Sequence, residues 1–216
     1  LEQDRDWLNR GALSFLAEAS DLLAGQLDEN LVAALAGQLI VPRLADWCAV
    51  WLEDEVAGRW GSPRPGEAES GGGWGDSGAP GPRLARVWHG SESRIEDLKR
   101  VLEKEPPRLP GGPDRLGPTA FPWPDEALGA HGSALAYRLT AGGRPLGTLV
   151  IGRAGLTYLP DEITGLVEDL SRRVALAIGA ARQYARQATI SAVLQRGLLP
   201  GAVAEIPGVR SALVYE

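Results

Sequence analysis

The sequence is short of cysteine, histidine and lysine, and each shortage closes off a class of chemistry. One cysteine in 216 residues, Cys48, excludes an internal disulfide framework and fits a reducing compartment. Cys48 and the two histidines, His89 and His131, are far apart in sequence, whereas zinc sites usually bring ligand pairs within about two to five residues. Lysine occurs only at 99 and 104, so the cations are nearly all Arg; with abundant Ala, Gly and Leu this reads as coding bias. A net charge of -6 argues against a nucleic-acid surface, which needs clustered positive charge. No apolar run is long enough to span a bilayer, and Leu1-Glu2-Gln3-Asp4-Arg5-Asp6 is not a signal peptide. The expectation is a cytoplasmic protein with neither nucleic acid nor membrane as partner. At 44% hydrophobic and 23% charged residues the chain can bury a core, and its length suits one large domain with helical extensions.

Two helices open the chain. Leu8, Ala12, Leu16, Ala19 and Leu23 recur at helical spacing, and Asp28 is placed to cap a second helix with a stripe of Leu31, Leu35 and Leu39, widened by Val32 and Ile40. Pro42 ends it. Trp47–Leu52 is a short apolar run with β-branched and aromatic content, read as a strand buried on both faces. Residues 61–82 are Gly, Pro and Ser with few core formers, which predicts a mobile surface loop. Leu84–His89 resumes as strand. Ser93 and Glu96 have capping-box spacing ahead of a short helix with Ile95, Leu98 and Leu102 on one face. Residues 105–132 read as irregular, with Phe121 and Trp123 folded back onto the core. Ser133–Leu139 and Leu146–Ile151 are strands joined through Gly142-Gly143, a hairpin signal. Pro160, Asp161 and Glu162 then open a long helix, acids in its first turn matching the positive helix end. This order predicts an α+β fold: a central, mostly antiparallel sheet with the N- and C-terminal helices on one face and loops over the other.

Several motifs invite a catalytic reading and do not sustain it. Gly75-Asp76-Ser77-Gly78-Ala79-Pro80 is like a serine-protease nucleophile loop, but no histidine precedes Ser77 to serve as the base. Gly71-Gly72-Gly73 lacks the Gly-Lys-Ser/Thr that would make it a phosphate-binding loop. Cys48 reads as a packed strand residue rather than a redox or haem ligand. No catalytic residue and no metal ligand is assigned within these residues.

Two features carry the functional expectations. Trp47 and Trp51 share a strand face; Trp51 with Trp88, His89, Trp123, Tyr137 and Arg138 is the candidate aromatic pocket for a flat or apolar ligand, the alternative being plain core filling. In the last helix Ile163, Val167, Leu170, Val174, Ala177, Ala181, Tyr184 and Ala188 alternate steps of four and three, a coiled-coil-like seam for dimerisation and signalling.

The residues also resemble a known family. Val41–Val50 looks like the first-strand entry of bacterial GAF domains, Arg144–Ile151 like their last strand pair, and Tyr158–Glu162 like the start of their closing helix. Ile190–Tyr215, with Leu194-Gln195-Arg196-Gly197-Leu198-Leu199-Pro200 and Ile206-Pro207-Gly208-Val209, resembles the junction between a GAF domain and a stage II sporulation protein E-like, PPM-type serine/threonine phosphatase domain, with Gly197 where the pattern has Ser. The resemblance covers roughly residues 8–58 and 133–216. It lacks the Cys-His pair of bilin-binding members and the Asn-Lys of cyclic-nucleotide-binding ones, where Gly152-Arg153 stands instead. It implies a helical dimerisation arm over 1–27, a GAF-like sensor over 28–185 with a mobile loop at 61–83, and a connector with the first strand of a phosphatase domain over 186–216. It further implies a homodimer through the terminal helices, an unknown small-molecule signal, and a Mn- or Mg-dependent catalytic domain beyond these residues. That domain's substrate would be a phosphoprotein such as an anti-sigma-factor antagonist. The alternatives are a ligand-free structural dimerisation module, or the sensor of a histidine kinase.

Overall fold

The computed structural model describes residues 2–54, 81–109, 117–129 and 131–198, with the side chains of 2–9 and 198 outside that description. Helix α1 spans Glu2–Ala24 and α2 spans Glu29–Ile40. Strand β1 is Trp47–Leu52, β2 is Arg83–His89, and a 3-10 turn at Glu92–Arg94 leads into α3, Ile95–Lys104. A short strand β3, Thr119–Phe121, and a one-turn helix α4, Asp125–Leu128, precede the long hairpin β4, Gly132–Ala141, and β5, Arg144–Ala154. Helix α5 runs from Asp161 to Leu198.

The five strands form one sheet in the order β2-β1-β5-β4-β3, each neighbouring pair antiparallel. The hairpin turns as its sequence predicts, Gly142 and Gly143 both taking positive φ (58° and 73°), a conformation that side chains with a Cβ disfavour. Asp28 caps α2, its carboxylate accepting from the Asn30 amide at 2.7 Å. The capping box at Ser93 does not form: α3 is entered through the 3-10 turn, its cap residue Arg94 makes no side-chain cap bond, and Ser93 Oγ lies 3.0 Å from Ser91 Oγ instead.

Strand β1 is the centre of the molecule and is buried along its whole length. Its alternation separates two cores. Cys48, Val50 and Leu52 face a layer of α1, α2 and α5, packing with Leu16, Leu23, Val32, Ile40, Leu170 and Ile178. Trp47, Ala49 and Trp51 face the opposite layer, with Leu98 and Leu102 of α3 and Leu128 of α4. The second face is therefore covered by short helices as well as loops. Residues 117–129, expected to be irregular, supply the edge strand β3 and α4, and Phe121 and Trp123 pack onto the second core as expected.

The buried stripe of α2 is shifted from the predicted one. Val32, Ala33, Ala36, Gly37 and Ile40 are inside and Leu31 is exposed. Small residues decide this: a Cβ at Gly37 would overlap the Trp88 indole of β2, so α2 lies against the sheet through its Ala/Gly face. Among the described residues no helix is long and apolar enough to cross a membrane.

Candidate ligand cavity and outgoing helix

Antiparallel register fixes which aromatic faces which core. Cross-strand partners share a face, and successive residues of a strand point to opposite faces. Trp47 pairs with His89 and Gly152, so His89 lies on the α3 side; Trp88 pairs with Cys48 and lies on the side of the long helices. Arg138, Thr148 and Trp51 are aligned on the α3 side, while Tyr137 turns to the helices. The six predicted pocket residues are thus divided. Trp51, His89, Trp123 and Arg138 share one side; Trp88 and Tyr137 belong to the other. The signal was present in the sequence: Trp88-His89 and Tyr137-Arg138 are adjacent pairs on single strands and cannot point the same way.

On the α3 side the aromatics pack on one another. Trp47 meets Phe121 and Trp123 edge-on, with ring centroids 6.4 and 6.2 Å apart, and Trp51 meets Phe121 at 6.0 Å. The indole of Trp47 lies over Gly152, where a Cβ would overlap it, and its Nε1 is buried without a hydrogen-bond partner, as is Trp88 Nε1 on the helical side. The centre of this face is filled by the chain's own rings. Space remains beside it, at the edge of the sheet: a cavity of about 410 Å³ lined by Lys104 at the end of α3 and residues 105–109 after it, by Ala120, Phe121 and Pro122 of the β3 edge, and by Ala136. That volume falls within the range of small-molecule pockets, about 300–1,000 Å³. Arg138 borders this region, its Nη2 3.5 Å from the Leu109 carbonyl. None of the six predicted residues lines the cavity. It is built mainly from a Pro-rich stretch that sequence periodicity cannot place.

His89 and Tyr137 have structural partners. His89 Nδ1 accepts the Ser91 amide at 2.8 Å, and burial lowers its pKa from the ordinary imidazole value. Tyr137 donates from its hydroxyl to the Thr164 carbonyl at 3.3 Å, holding the first turn of α5 to the sheet, and burial pushes its pKa up. Cys48 is fully buried, which raises its thiol pKa well above the reactive range. Among the described residues no group of three or more His, Cys, Asp or Glu could hold a metal. The tempting loop motifs at Gly71–Pro80 and the junction-like residues beyond Leu198 lie outside the described residues.

The predicted seam on α5 has a different destination from the one expected. Val167, Leu170, Val174, Ala177 and Ala181 are buried within the chain against the sheet and its neighbouring helices, and Ile163 packs at the margin of that core. Tyr184 and Ala188 are exposed. A second stripe, one residue earlier in the heptad, remains open: Leu176, Ala180, Gln183, Gln187, Ile190 and Leu194 repeat at steps of four and three, and all six are exposed. It is apolar at both ends, with two uncharged glutamines between them. Leu176, Ile190 and Leu194 are 64%, 59% and 59% exposed.

No family model and no curated protein matches the sequence. Solved structures do. The GAF domain of a phosphoenolpyruvate-protein phosphotransferase from Coxiella burnetii superposes with a TM-score of 0.50 at 15% identity, over 81% of this chain and 96% of that one. The GAF domain of a protein assigned as a sensor histidine kinase from Pseudomonas syringae pv. tomato gives 0.50 at 17% identity, over 91% and 99%. The chain has the GAF fold, an α+β domain with an antiparallel five-stranded sheet.

Proposed function

We propose that the chain is a sensory relay of GAF type that works as a homodimer and transmits a small-molecule signal through α5. One observation carries this reading: α5 continues for sixteen residues past Arg182, about 24 Å at 1.5 Å per residue, and ends on Ile190, Val193 and Leu194, apolar side chains that stay exposed. With Gln183 and Gln187, Ile190 and Leu194 keep the four-three spacing of a helix seam. Such a helix is stable when a second one shares its apolar positions, and uncharged polar residues within a seam fix its register. The occupant fitted best is the same stripe of a second copy. Its flanking residues from Gln183 to Leu198 carry no acid and only two arginines, Arg186 and Arg196, and two of the body's exposed apolar side chains, Leu13 and Leu22 of α1, lie on the element that packs beside α5. Light scattering tests it. Wild type should have twice the chain mass and Ile190→Glu/Leu194→Glu the single mass; a dimeric double variant overturns the seam.

The output proposed is a PPM-type protein serine/threonine phosphatase using Mn or Mg in its own domain, acting on a phosphoprotein such as an anti-sigma-factor antagonist. Its support is the resemblance of Ile190–Tyr215 to the GAF–phosphatase junction. The full gene product should hydrolyse a phosphoserine peptide with Mn²⁺ and lose that activity in EDTA; a kinase or no hydrolase in its place overturns it. The signal would enter at the cavity beside β3. A second reading, a ligand-free structural dimerisation module, is favoured by Trp47 and Trp51, which occupy the centre of that face at 0% and 1% exposure. Native mass spectrometry of the purified chain separates the two: a stoichiometric small molecule supports the sensor, and a clean apo dimer supports the module.

A further inference from the structure

One charged side chain is buried where α5 leaves the body. Arg182 is 8% exposed; its Nε donates to Glu29 Oε2 at 2.5 Å and its Nη2 to the Glu53 carbonyl at 2.6 Å. The second carboxylate oxygen of Glu29 accepts from Arg83 Nη2 at 2.9 Å, and the same guanidinium reaches Asn30 Oδ1 at 3.1 Å. Four elements meet in this group: the first turn of α2, the end of β1, the start of β2, where Arg83 pairs with Leu52, and α5. Beyond Arg182 every described side chain of α5 except the half-buried Ala192 is exposed. Beside the group lies a cavity of about 330 Å³, lined by Leu27, Asp28 and Glu29 on one side and by Ala181, Arg182 and Ala185 of α5 on the other.

We propose that Glu29 is a latch: closed on Arg182, its carboxylate sets how the outgoing half of α5 is held. A buried ion pair adds little net stability over an apolar one but fixes registry, because its geometry is directional and a lone buried charge is costly. Alanine contacts at Ala181 and Ala185 have no such direction. Because the Glu53 carbonyl and Arg83 share the latch, a displacement at the Leu52/Arg83 end of the β1–β2 pair withdraws two of its partners together, and the outgoing helix responds. The inference rests on the relay reading only for the use made of α5; the latch itself is read in the chain alone.

The test is hydrogen–deuterium exchange of the whole chain, resolved by peptide, with light scattering on the same samples. In Glu29→Gln the amides of 180–188 should exchange at least tenfold faster than in wild type, while those of 167–176 stay unchanged. Arg83→Ala, which removes only the exposed arm, should accelerate the same amides less than threefold. Glu29→Ala/Arg182→Ala leaves neither a buried charge nor a replacement apolar contact and remains foldable even if Glu29→Gln does not. It should show the same local acceleration at unchanged protection of 167–176. Wild-type protection of 180–188 in the double variant, or in a folded Glu29→Gln, overturns the latch. A monomeric wild type with an intact latch response would instead sink the dimeric relay and leave the latch standing.

Discussion

Replacing Gly152 with alanine tests the packing of the aromatic face. Gly152 sits in β5 between β1 and β4, and a Cβ there would overlap the Trp47 indole at Nε1 and the adjoining ring atoms. Neither side can yield cheaply. The backbone is held by ladders on both sides, and Trp47 is 0% exposed, walled by Phe121 and Trp123. Relieving the backbone entropy of a strand glycine gains about 0.5–1 kcal/mol, while overpacking a filled core costs about 1–3 kcal/mol. The net expectation is a loss of about 1–2 kcal/mol, or roughly 2–8 °C in Tm for a chain of this size. Urea unfolding followed by far-UV circular dichroism measures it. Trp47→Leu removes the obstructing ring, so in that background Gly152→Ala should be neutral or stabilising by about 0.5 kcal/mol. The cycle should then show a coupling of at least about 1.5 kcal/mol, within the range of contacting residues. A neutral single variant, or a cycle that adds without coupling, refutes this account of the face.

Asp28→Ala removes the carboxylate that caps α2 and should cost about 1 kcal/mol in the same urea experiment; no loss means the cap is idle. Ala181→Glu would place an unpaired carboxylate in the helical core, where alanine is 2% exposed, and should abolish cooperative melting rather than merely split a dimer. A folded Ala181→Glu monomer would return that residue to the intersubunit seam. Cys48 should ignore a thiol reagent at pH 8 in the native protein and react stoichiometrically in denaturant. Its thiol pKa is raised on folding, so the unfolded chain ionises first as pH climbs past about 8.5. Tyr137 acts with the same sign from about pH 10 upward. Stability should therefore fall from about pH 8.5 upward, and a flat profile to pH 11 contradicts the burial of both groups.

Local chemistry was legible because it depends on few residues. Asp28 ahead of an apolar repeat, Gly142-Gly143 between alternating runs, and Pro160-Asp161-Glu162 before a long helix each satisfy backbone needs within a turn, and all three act as their sequence implies. The antiparallel sheet with terminal helices on one face followed from the order of those elements, and its GAF character from the family resemblance. Apart from the Ser93 capping box and the strand and helix missed within 117–129, failures came where two choices satisfy the same periodicity. Along α5 two neighbouring stripes both repeat at steps of four and three; burial of Val174, Ala177 and Ala181 against the sheet, and exposure of Leu176, Ala180 and Gln183, is settled only by how the helix docks. The α2 stripe moved for a like reason, since Ala33, Ala36 and Gly37 permit a closer approach than Leu31 does.

The sequence by itself determined four of the five strands, the β4–β5 turn, the ends of α2 and the start of α5, and it marked the aromatics around β1. Only the tertiary structure decided which aromatics share a face, because one strand alternates its side chains and the cross-strand register assigns each to a core. It also decided where space remains. Trp47 and Trp51 fill the centre of their face and leave the cavity at the β3 edge, a matter of three-dimensional volume that no spacing encodes. The latch was equally hidden: Glu29, Glu53, Arg83 and Arg182 are separated along the chain by dozens of residues, and only the folded sheet brings their charges and carbonyl together.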